Sequence, residues 1–335
     1  MKNNFEFIAV GDVVTDAFIE LLSTEAKVEQ DRSHHPLLCM TYGTKIPFQE
    51  AIVVPAVGNA ANAAVAAARL GLNTGFISDV GNDDNGREML HSLTNNNVST
   101  EFVRIHHGKH SNYHYVLWYK ADRTILIKHE AYDYRWPRLH DHNKSEWLYM
   151  SSIAESGEPI HVGLAKYLEA NKDVKFAFQP GTFQIREGKA KLAKLYSRAE
   201  VFAANKEEFQ QILNSNSNDE KILINDMHKL GPKVVLLTDG PKGAFASDGK
   251  EVVFMPPYPD PKPPYDRTGA GDAYASTFTA ALAQGKDLAT GLAWAGVNSM
   301  SVVQQVGAQA GLLKKPEIDH WLKKAPTSFK PKLVN

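Results

Sequence analysis

The sequence predicts an α/β protein with a mainly parallel central sheet flanked by helices and a small second β-sheet attached. Three observations support this. Strand-like and helix-like runs alternate along most of the chain, the pattern of parallel strands joined by covering helices. One section interrupts that rhythm with three strand-like runs and no helix between them. The chain has 335 residues, 43% hydrophobic and 22% charged, which allows one large α/β domain or two smaller ones; a single domain over residues 1–335 is expected.

Taken in order, "FEFIAVG" reads as a first strand ending at Gly11. "GNAANAAVAAARLG" is alanine-rich and closes on Gly71, placed as the residue after a helix end. "NTGFISDVG" reads as a strand and "NDDNGREMLHSLTNN" as a helix. "VKFAF", "EVFAAN", "PKVVLLTDG" and "EVVFM" read as strands, and "KEEFQQIL" as a helix. Two further helices are expected over about residues 271–284 and 288–305.

The interrupting section contains "TEFVRI", "NYHYVLWYK" and "RTILIKHE", with Ala121-Asp122 at the turn between the last two. It reads as an antiparallel hairpin region. The polar, histidine-containing stretch 22–50 is a candidate to join it. The insertions are expected over about residues 16–54 and 100–130. Such a small sheet suits a lid over the C-terminal ends of the parallel strands, and a surface hairpin without function fits the pattern equally well.

Charge and cysteine content exclude several classes. The net charge is −1 and the isoelectric point about 6.9, so no global field attracts nucleic acid or an anionic membrane. The single cysteine, Cys39, cannot form an intrachain disulfide, and a cytoplasmic location is expected. The segment "MKNNFEFIAVGD" lacks the apolar core of a signal peptide. Residues 51–70, the most apolar stretch, are broken by Pro55, Gly58, Asn59 and Asn62.

The chemistry concentrates in "DRTGAGDAYASTF". Gly269, Ala270 and Gly271 precede a carboxylate, Asp272, where a helix begins. Small residues there leave backbone N–H groups open, and with the helix dipole they make an anion site. Asp272 belongs to the first turn and could act as a base beside a bound anion. Anion site plus base fits phosphoryl transfer to a hydroxyl. A plain first-turn carboxylate that only steadies the helix is the alternative. A dinucleotide fingerprint fails on context: "GAGDAY" follows a proline-rich loop, not a strand, and no βαβ unit follows it. No phosphate loop of the form G-x-x-x-x-G-K-[ST] occurs.

"DRTGAGD" resembles the C-terminal signature of the ribokinase-like (PfkB) family of carbohydrate kinases, D-T-x-G-A-G-D. Five other stretches are similar to the family's motifs, in its order. They are "GDVVTD" with Asp12 and Asp16, "VGNAANAA" with Gly58, Asn59 and Asn62, and "GNDDNG" with Gly81, Asp83 and Gly86. "NKEE" with Asn205 and Glu208, and "TDGPKG" with Thr238, Gly240 and Gly243, complete the set.

The resemblance implies a ribokinase-like fold with a β-sheet lid, and a kinase using ATP and Mg²⁺. It implies that Asp272 activates the acceptor hydroxyl and that the amides of Gly269, Ala270 and Gly271 form the anion hole. It places Asp12, Gly58, Asn59 and Asn62 on the sugar, with Asp16 at a less constant position. It places Asn205 near the phosphates, Glu208 on Mg²⁺ through water, and Thr238, Gly240 and Gly243 along the nucleotide. It also implies a K⁺ site formed by Asp266 and the loop containing Thr268, with carbonyls from residues 302–307. A turn cap made by Asp266 alone is the other reading.

The sequence departs from the family pattern at four points. Val57 replaces a glycine, and Arg267 replaces a threonine. Gln179 stands where relatives carry Asp or Asn, and Gly296 where they place Asn or His near adenine. Asn298 is nearby but out of register.

His106, His107, His110 and His114 lack fixed ligand spacing and read as solvated or substrate-facing. Tyr113, Tyr115, Trp118 and Tyr119 read as packing the small sheet or forming a lid-to-lid homodimer contact. Cys39 reads as a small lid residue.

The expected activity is ATP-dependent phosphorylation of a primary hydroxyl of a small sugar, without a phosphoenzyme. A nucleoside kinase of the same fold, or a non-catalytic sugar- or nucleotide-binding regulator, are the alternatives. No nucleic-acid or membrane partner is expected.

Overall fold

The computed structural model describes residues 5–120, 122–140 and 143–334; Ala121 of the expected turn lies outside them. Its strands are β1 Phe5–Val10, β2 Val14–Leu21, β3 Ala26–Gln30, β4 Pro36–Met40, β5 Phe48–Val57, β6 Thr74–Gly81, β7 Val98–His106, β8 Tyr113–Tyr119, β9 Asp122–Leu126, β10 Ser145–Met150, β11 Lys175–Phe178, β12 Val201–Asn205, β13 Val234–Thr238, β14 Ala244–Ser247, β15 Val252–Met255 and β16 Lys332–Leu333. Its helices are α1 Asn59–Arg69, α2 Asp84–Asn95, α3 Glu158–Ala170, α4 Thr182–Glu187, α5 Ala193–Arg198, α6 Lys206–Leu213, α7 Glu220–His228, α8 Ala270–Ala283, α9 Leu288–Val302 and α10 Lys315–Lys323.

Ten strands form the main sheet in the order β16-β15-β14-β13-β12-β11-β10-β1-β6-β7. The strands from β13 to β7 run parallel, and β14 to β16 extend one edge antiparallel. Both faces are covered, as a parallel sheet requires. Alternation along β1 shows how: Phe7 and Ala9 enter a core shared with α1, α8 and α9, while Ile8 and Val10 enter one shared with α3, α5, α6 and α7. The alanines of α1 are all buried from Ala60 to Ala67, so the helix backbone lies close to the sheet.

A second sheet has the order β5-β2-β8-β9. Phe18, Val116 and Trp118 are buried on one of its faces. Val53, Tyr115 and Leu126 stand in neighbouring registers on the other and are about half exposed. The stretch 22–50 contributes a separate hairpin, β3 and β4, which carries Cys39.

The structure corrects one element. "TEFVRI" lies within β7, the parallel edge strand of the main sheet, and not in the antiparallel hairpin. Phe102 packs toward one core and Val98 and Val103 toward the other, so this strand is covered on both faces. Only β8 and β9 pair as the expected hairpin, while β8 joins β2 in parallel. The strand and helix over Ser145–Ala170, and α7 and α10, add to the elements expected from the sequence.

Candidate active site

The chemistry gathers at the C-terminal ends of the parallel strands, where an open α/β sheet presents its crevice. Asp12 follows β1, Gln179 follows β11, and Asn205 and Thr238 end β12 and β13 side by side. The start of α8 completes the site. Gly269 precedes this helix at φ +79°, a left-handed conformation, and an added Cβ would stand 2.2 Å from Ala308 Cβ. No side chain caps the helix. The N–H of Ala270 makes a long 3.4 Å bond to the Arg267 carbonyl, so that amide of the expected anion hole is already engaged in the turn.

Asp272 does not cap its own helix. Its Oδ1 accepts from Asn59 Nδ2 at 3.0 Å and Gln179 Nε2 at 3.1 Å, and its Oδ2 from Asn62 Nδ2 at 2.9 Å. Burial raises its pKa above the usual aspartate value, these three amides oppose the rise, and the charge of Asp16 adds to it. Asn59 and Asn62 reach Asp272 because Gly58, at φ +107°, starts α1 close to the Asp12 backbone; an added Cβ would lie 3.1 Å from the Asp12 carbonyl. Gln179, the departure flagged in the sequence, is thus in direct contact with the expected base.

Asp12 and Asp16 are both buried. Asp12 Oδ1 accepts from the Tyr134 hydroxyl at 2.7 Å, and its Oδ2 accepts from His129 Nδ1 at 2.9 Å and the Ala154 N–H at 2.8 Å. Asp16 faces His114 across the β2–β8 pairing, with Oδ1 and Nδ1 3.3 Å apart but misaligned for a hydrogen bond. Thr15 Oγ1, Asp16 Oδ1 and His114 Nε2 are buried polar atoms without a protein partner. His129 packs against His114 and Phe183.

On the other side of α8 lies a cleft of about 390 Å³. Thr238, Gly240, Gly243, Arg267, Ala270, Gly271, Tyr274, Gly296 and Ser299 line it. Gly243 also permits close packing of strands, since a Cβ there would meet the Met255 carbonyl at 2.4 Å. A Cβ at Gly296 would meet the Phe329 ring at 3.1 Å, so an aromatic ring occupies the space beside that glycine. Asn298 is buried away from the cleft: it donates to Thr277 Oγ1 and accepts from the Leu313 N–H.

Asn205 and Glu208 form a capping box on α6. Asn205 Oδ1 accepts from the Glu208 N–H at 2.8 Å, and Glu208 Oε2 accepts from the Asn205 N–H at 2.9 Å. The spacing N-x-x-E is therefore also a helix-start signal. Burial raises the Glu208 pKa, the bond from the Asn205 N–H opposes this, and the charge of Asp272 raises it further.

Asp83 in "GNDDNG" caps α2 through the Gly86 N–H and accepts from the Ser111 N–H and hydroxyl, so it ties loops together. Asp266 is buried; its Oδ1 accepts from the N–H and hydroxyl of Thr268 and its Oδ2 from the Gly307 N–H. His106, His107, His110 and His114 each meet a different partner: Asp79, Asn82, Asp83 and Asp16. Among the described residues no cluster of His, Cys, Asp or Glu could hold a metal.

The family model for pfkB family carbohydrate kinases matches residues 37–315. The chain belongs to the PfkB family of carbohydrate kinases. It is therefore an ATP-dependent kinase of the ribokinase fold. A ribokinase of Bacillus subtilis is 27% identical over 271 residues, covering 79% of this chain and 87% of that protein. The fold matches Arabidopsis thaliana ribokinase complexed with ribose and ATP at a TM-score of 0.76 and 20% identity, over 95% of this chain and 99% of that one. It matches a nucleoside kinase of Methanocaldococcus jannaschii at 0.76 and 20%, over 97% and 99%. Among the described residues no helix is long and apolar enough to cross a membrane.

Tyr149, which meets Gln179, Gln309, which meets Asn62, and Tyr134 and His129, which meet Asp12, carry no signal in the sequence. Each lies outside the motifs and meets its partner only in the folded chain.

Proposed function

We propose that this kinase transfers the γ-phosphoryl group of ATP to a primary hydroxyl of a small sugar, with Asp272 accepting the hydroxyl proton. The observation that carries this reading is the place of Asp272. Its carboxylate is held by three amides at an uncapped helix start, between the 390 Å³ cleft and the buried Asp12 and Asp16.

In this reading the cleft takes ATP, with Thr238, Gly240 and Gly243 along the nucleotide and the amides of Gly269 and Gly271 facing the phosphates. Ala270 would contribute its N–H only by releasing the weak turn bond to Arg267. A fixed set of N–H donors stabilises charge on the transferring group without reorganising. Mg²⁺ would neutralise phosphate charge, and Glu208 fits the task of holding its waters because the capping box engages only Oε2. Asn205 then acts by fixing Glu208.

The acceptor would sit against Gly58, Asn59, Asn62, Asp12 and Asp16. Buried polar atoms without partners cost about 1–3 kcal/mol each. Asp16 Oδ1 and His114 Nε2 are two such atoms on one face of the β2–β8 pair, and a polyhydroxy acceptor would supply their hydrogen bonds. The second sheet would then act as a lid, its buried face toward the site. Its half-exposed row of Val53, Tyr115 and Leu126 supports a homodimer through this sheet. Sedimentation of Tyr115→Lys beside the native protein tests this: two identical profiles would remove the dimer.

Asp266 holds its loop to Gly307 by itself, so a K⁺ beside it would reinforce an existing tie. Equal turnover in K⁺ and in a quaternary ammonium salt would leave Asp266 as a turn cap only.

The deciding experiment is a panel of sugars and nucleosides with ATP, read by ADP release. Turnover of a sugar is expected. Turnover of nucleosides alone would transfer the reading to a nucleoside kinase, and binding without ADP release to a regulator.

A further inference from the structure

We propose that Tyr149 and Gln309 are positioning residues for the base: each locks the orientation of a side-chain amide, Gln179 and Asn62 respectively, so that its N–H group faces Asp272. The proposal rests on the reading of Asp272 as base only for its catalytic consequence. The lock itself is a property of the free protein.

An amide side chain can turn over by half a rotation without changing shape, exchanging a donor for an acceptor. What it presents to a neighbour depends on its other contacts. Gln179 is fixed by its backbone N–H on the Met150 carbonyl at 2.9 Å. Its Oε1 accepts from the Tyr149 hydroxyl, and its Nε2 faces Asp272. Tyr149 is fully buried on β10, against Phe7. Burial pushes its hydroxyl pKa well above the ordinary value, so the group stays protonated and able to donate. A donor on the Oε1 side leaves the N–H side for Asp272.

Asn62 shows the same device. Gln309 Nε2 donates to Asn62 Oδ1 at 3.0 Å and to the Ala56 carbonyl at 2.7 Å. With its oxygen taken, Asn62 turns Nδ2 to Asp272 at 2.9 Å. Neither Tyr149 nor Gln309 touches Asp272; each acts through an amide.

The consequence is electrostatic. Amide N–H groups stabilise an ionised carboxylate, whereas an amide oxygen would stabilise a protonated one. Asp272 is buried, and the other titratable groups facing it are Asp16, Glu208 and Tyr149. Two of these are acids, and their charge opposes ionisation of Asp272. The locked amides work against that opposition and against burial.

The test is a ¹³C titration of the Asp272 carboxyl in full-length protein labelled at aspartate Cγ, the signal assigned by its loss in Asp272→Asn. Tyr149→Phe should raise the Asp272 pKa by about half to one unit, because Gln179 is then free to turn its oxygen inward. Gln179→Leu should raise it similarly, and the double variant should match Gln179→Leu alone, since Tyr149 acts through Gln179. Gln309→Leu should raise it through Asn62. A general loss of packing would not follow this pattern. If Tyr149→Phe does not fold, Gln179→Leu and Gln309→Leu carry the test. An unchanged Asp272 titration in the folded variants overturns the lock, whatever the activity. Substantial turnover in Asp272→Asn overturns the base reading and leaves the titration result standing.

Discussion

Asn62 Nδ2 lies 2.9 Å from Asp272 Oδ2, although the two residues are 210 positions apart in the chain. The contact joins the first turn of α1 to the first turn of α8. It brings the loop assigned to the acceptor against the residue assigned to proton transfer. Small residues make it possible: Gly58 and the alanines of α1 on one side, Gly269 and Ala270 on the other.

Asp272→Asn should lower kcat by roughly 10²–10⁴, the usual range for loss of a general base. The KM for ATP should change little, whereas that for the acceptor should rise, because the new amide N–H meets a donor among Asn59, Asn62 and Gln179. Steady-state kinetics with each substrate varied in turn checks this, and near-native kcat would remove Asp272 from the mechanism.

The pH profile follows from the raised pKa of Asp272. A base works only when ionised, so activity should be lost as pH falls through a value above the ordinary aspartate pKa of about 4. The stability effect has the opposite sign. The unfolded Asp272 gives up its proton at lower pH than the folded one, so its contribution favours the fold below that window and is lost as pH rises through it. A kcat/KM profile, which reports the free enzyme, with its acid limb in the ordinary aspartate range would contradict the burial effect.

Glu208 has two roles that different substitutions separate. Glu208→Gln keeps an acceptor for the Asn205 N–H, so the helix start should survive while the Mg²⁺ requirement rises and kcat falls. Asn205→Ala should cost about 0.5–2 kcal/mol of stability through the lost cap. Mg²⁺ titration at fixed ATP, beside denaturant unfolding, reads the two effects. An unchanged Mg²⁺ curve for Glu208→Gln would leave Glu208 as a capping residue only.

Gly269 and Gly271 should respond differently to alanine. At Gly269 the positive φ and the 2.2 Å approach to Ala308 leave no room, so the start of α8 must shift and stability should fall by more than about 1 kcal/mol. At Gly271 nothing lies within 4 Å of an added Cβ, so Gly271→Ala should melt like the native protein. Its methyl would project at the cleft wall where phosphates are expected, and the KM for ATP should rise. Thermal melts and ATP kinetics on both variants check this pair, and equal behaviour would undo the distinction.

Much of the fold was legible in the sequence because it is local. The alternation of "FEFIAVG", "NTGFISDVG" and "PKVVLLTDG" with helical runs specifies parallel strands, and glycines at 58 and 269 mark helix starts. "TEFVRI" was misplaced because a half-buried edge strand of the main sheet and a strand of a small sheet share the same two-residue period. Which sheet it joins depends on β6, which is distant in sequence. The site motifs were legible as residue types, each next to the turn that presents it. Their partners were not. Tyr149, Gln309, His129 and Tyr134 carry no local signal, because hydrogen bonds from a side chain to a distant carboxylate or amide leave no period, cap or turn in the sequence. The sequence by itself determined most of the parallel strands, the starts of α1 and α8, and the place of Asp272 in the first turn of α8. Only the tertiary structure decided which groups surround that carboxylate and which way their amides face, since burial and side-chain orientation are set by packing between segments up to 210 residues apart.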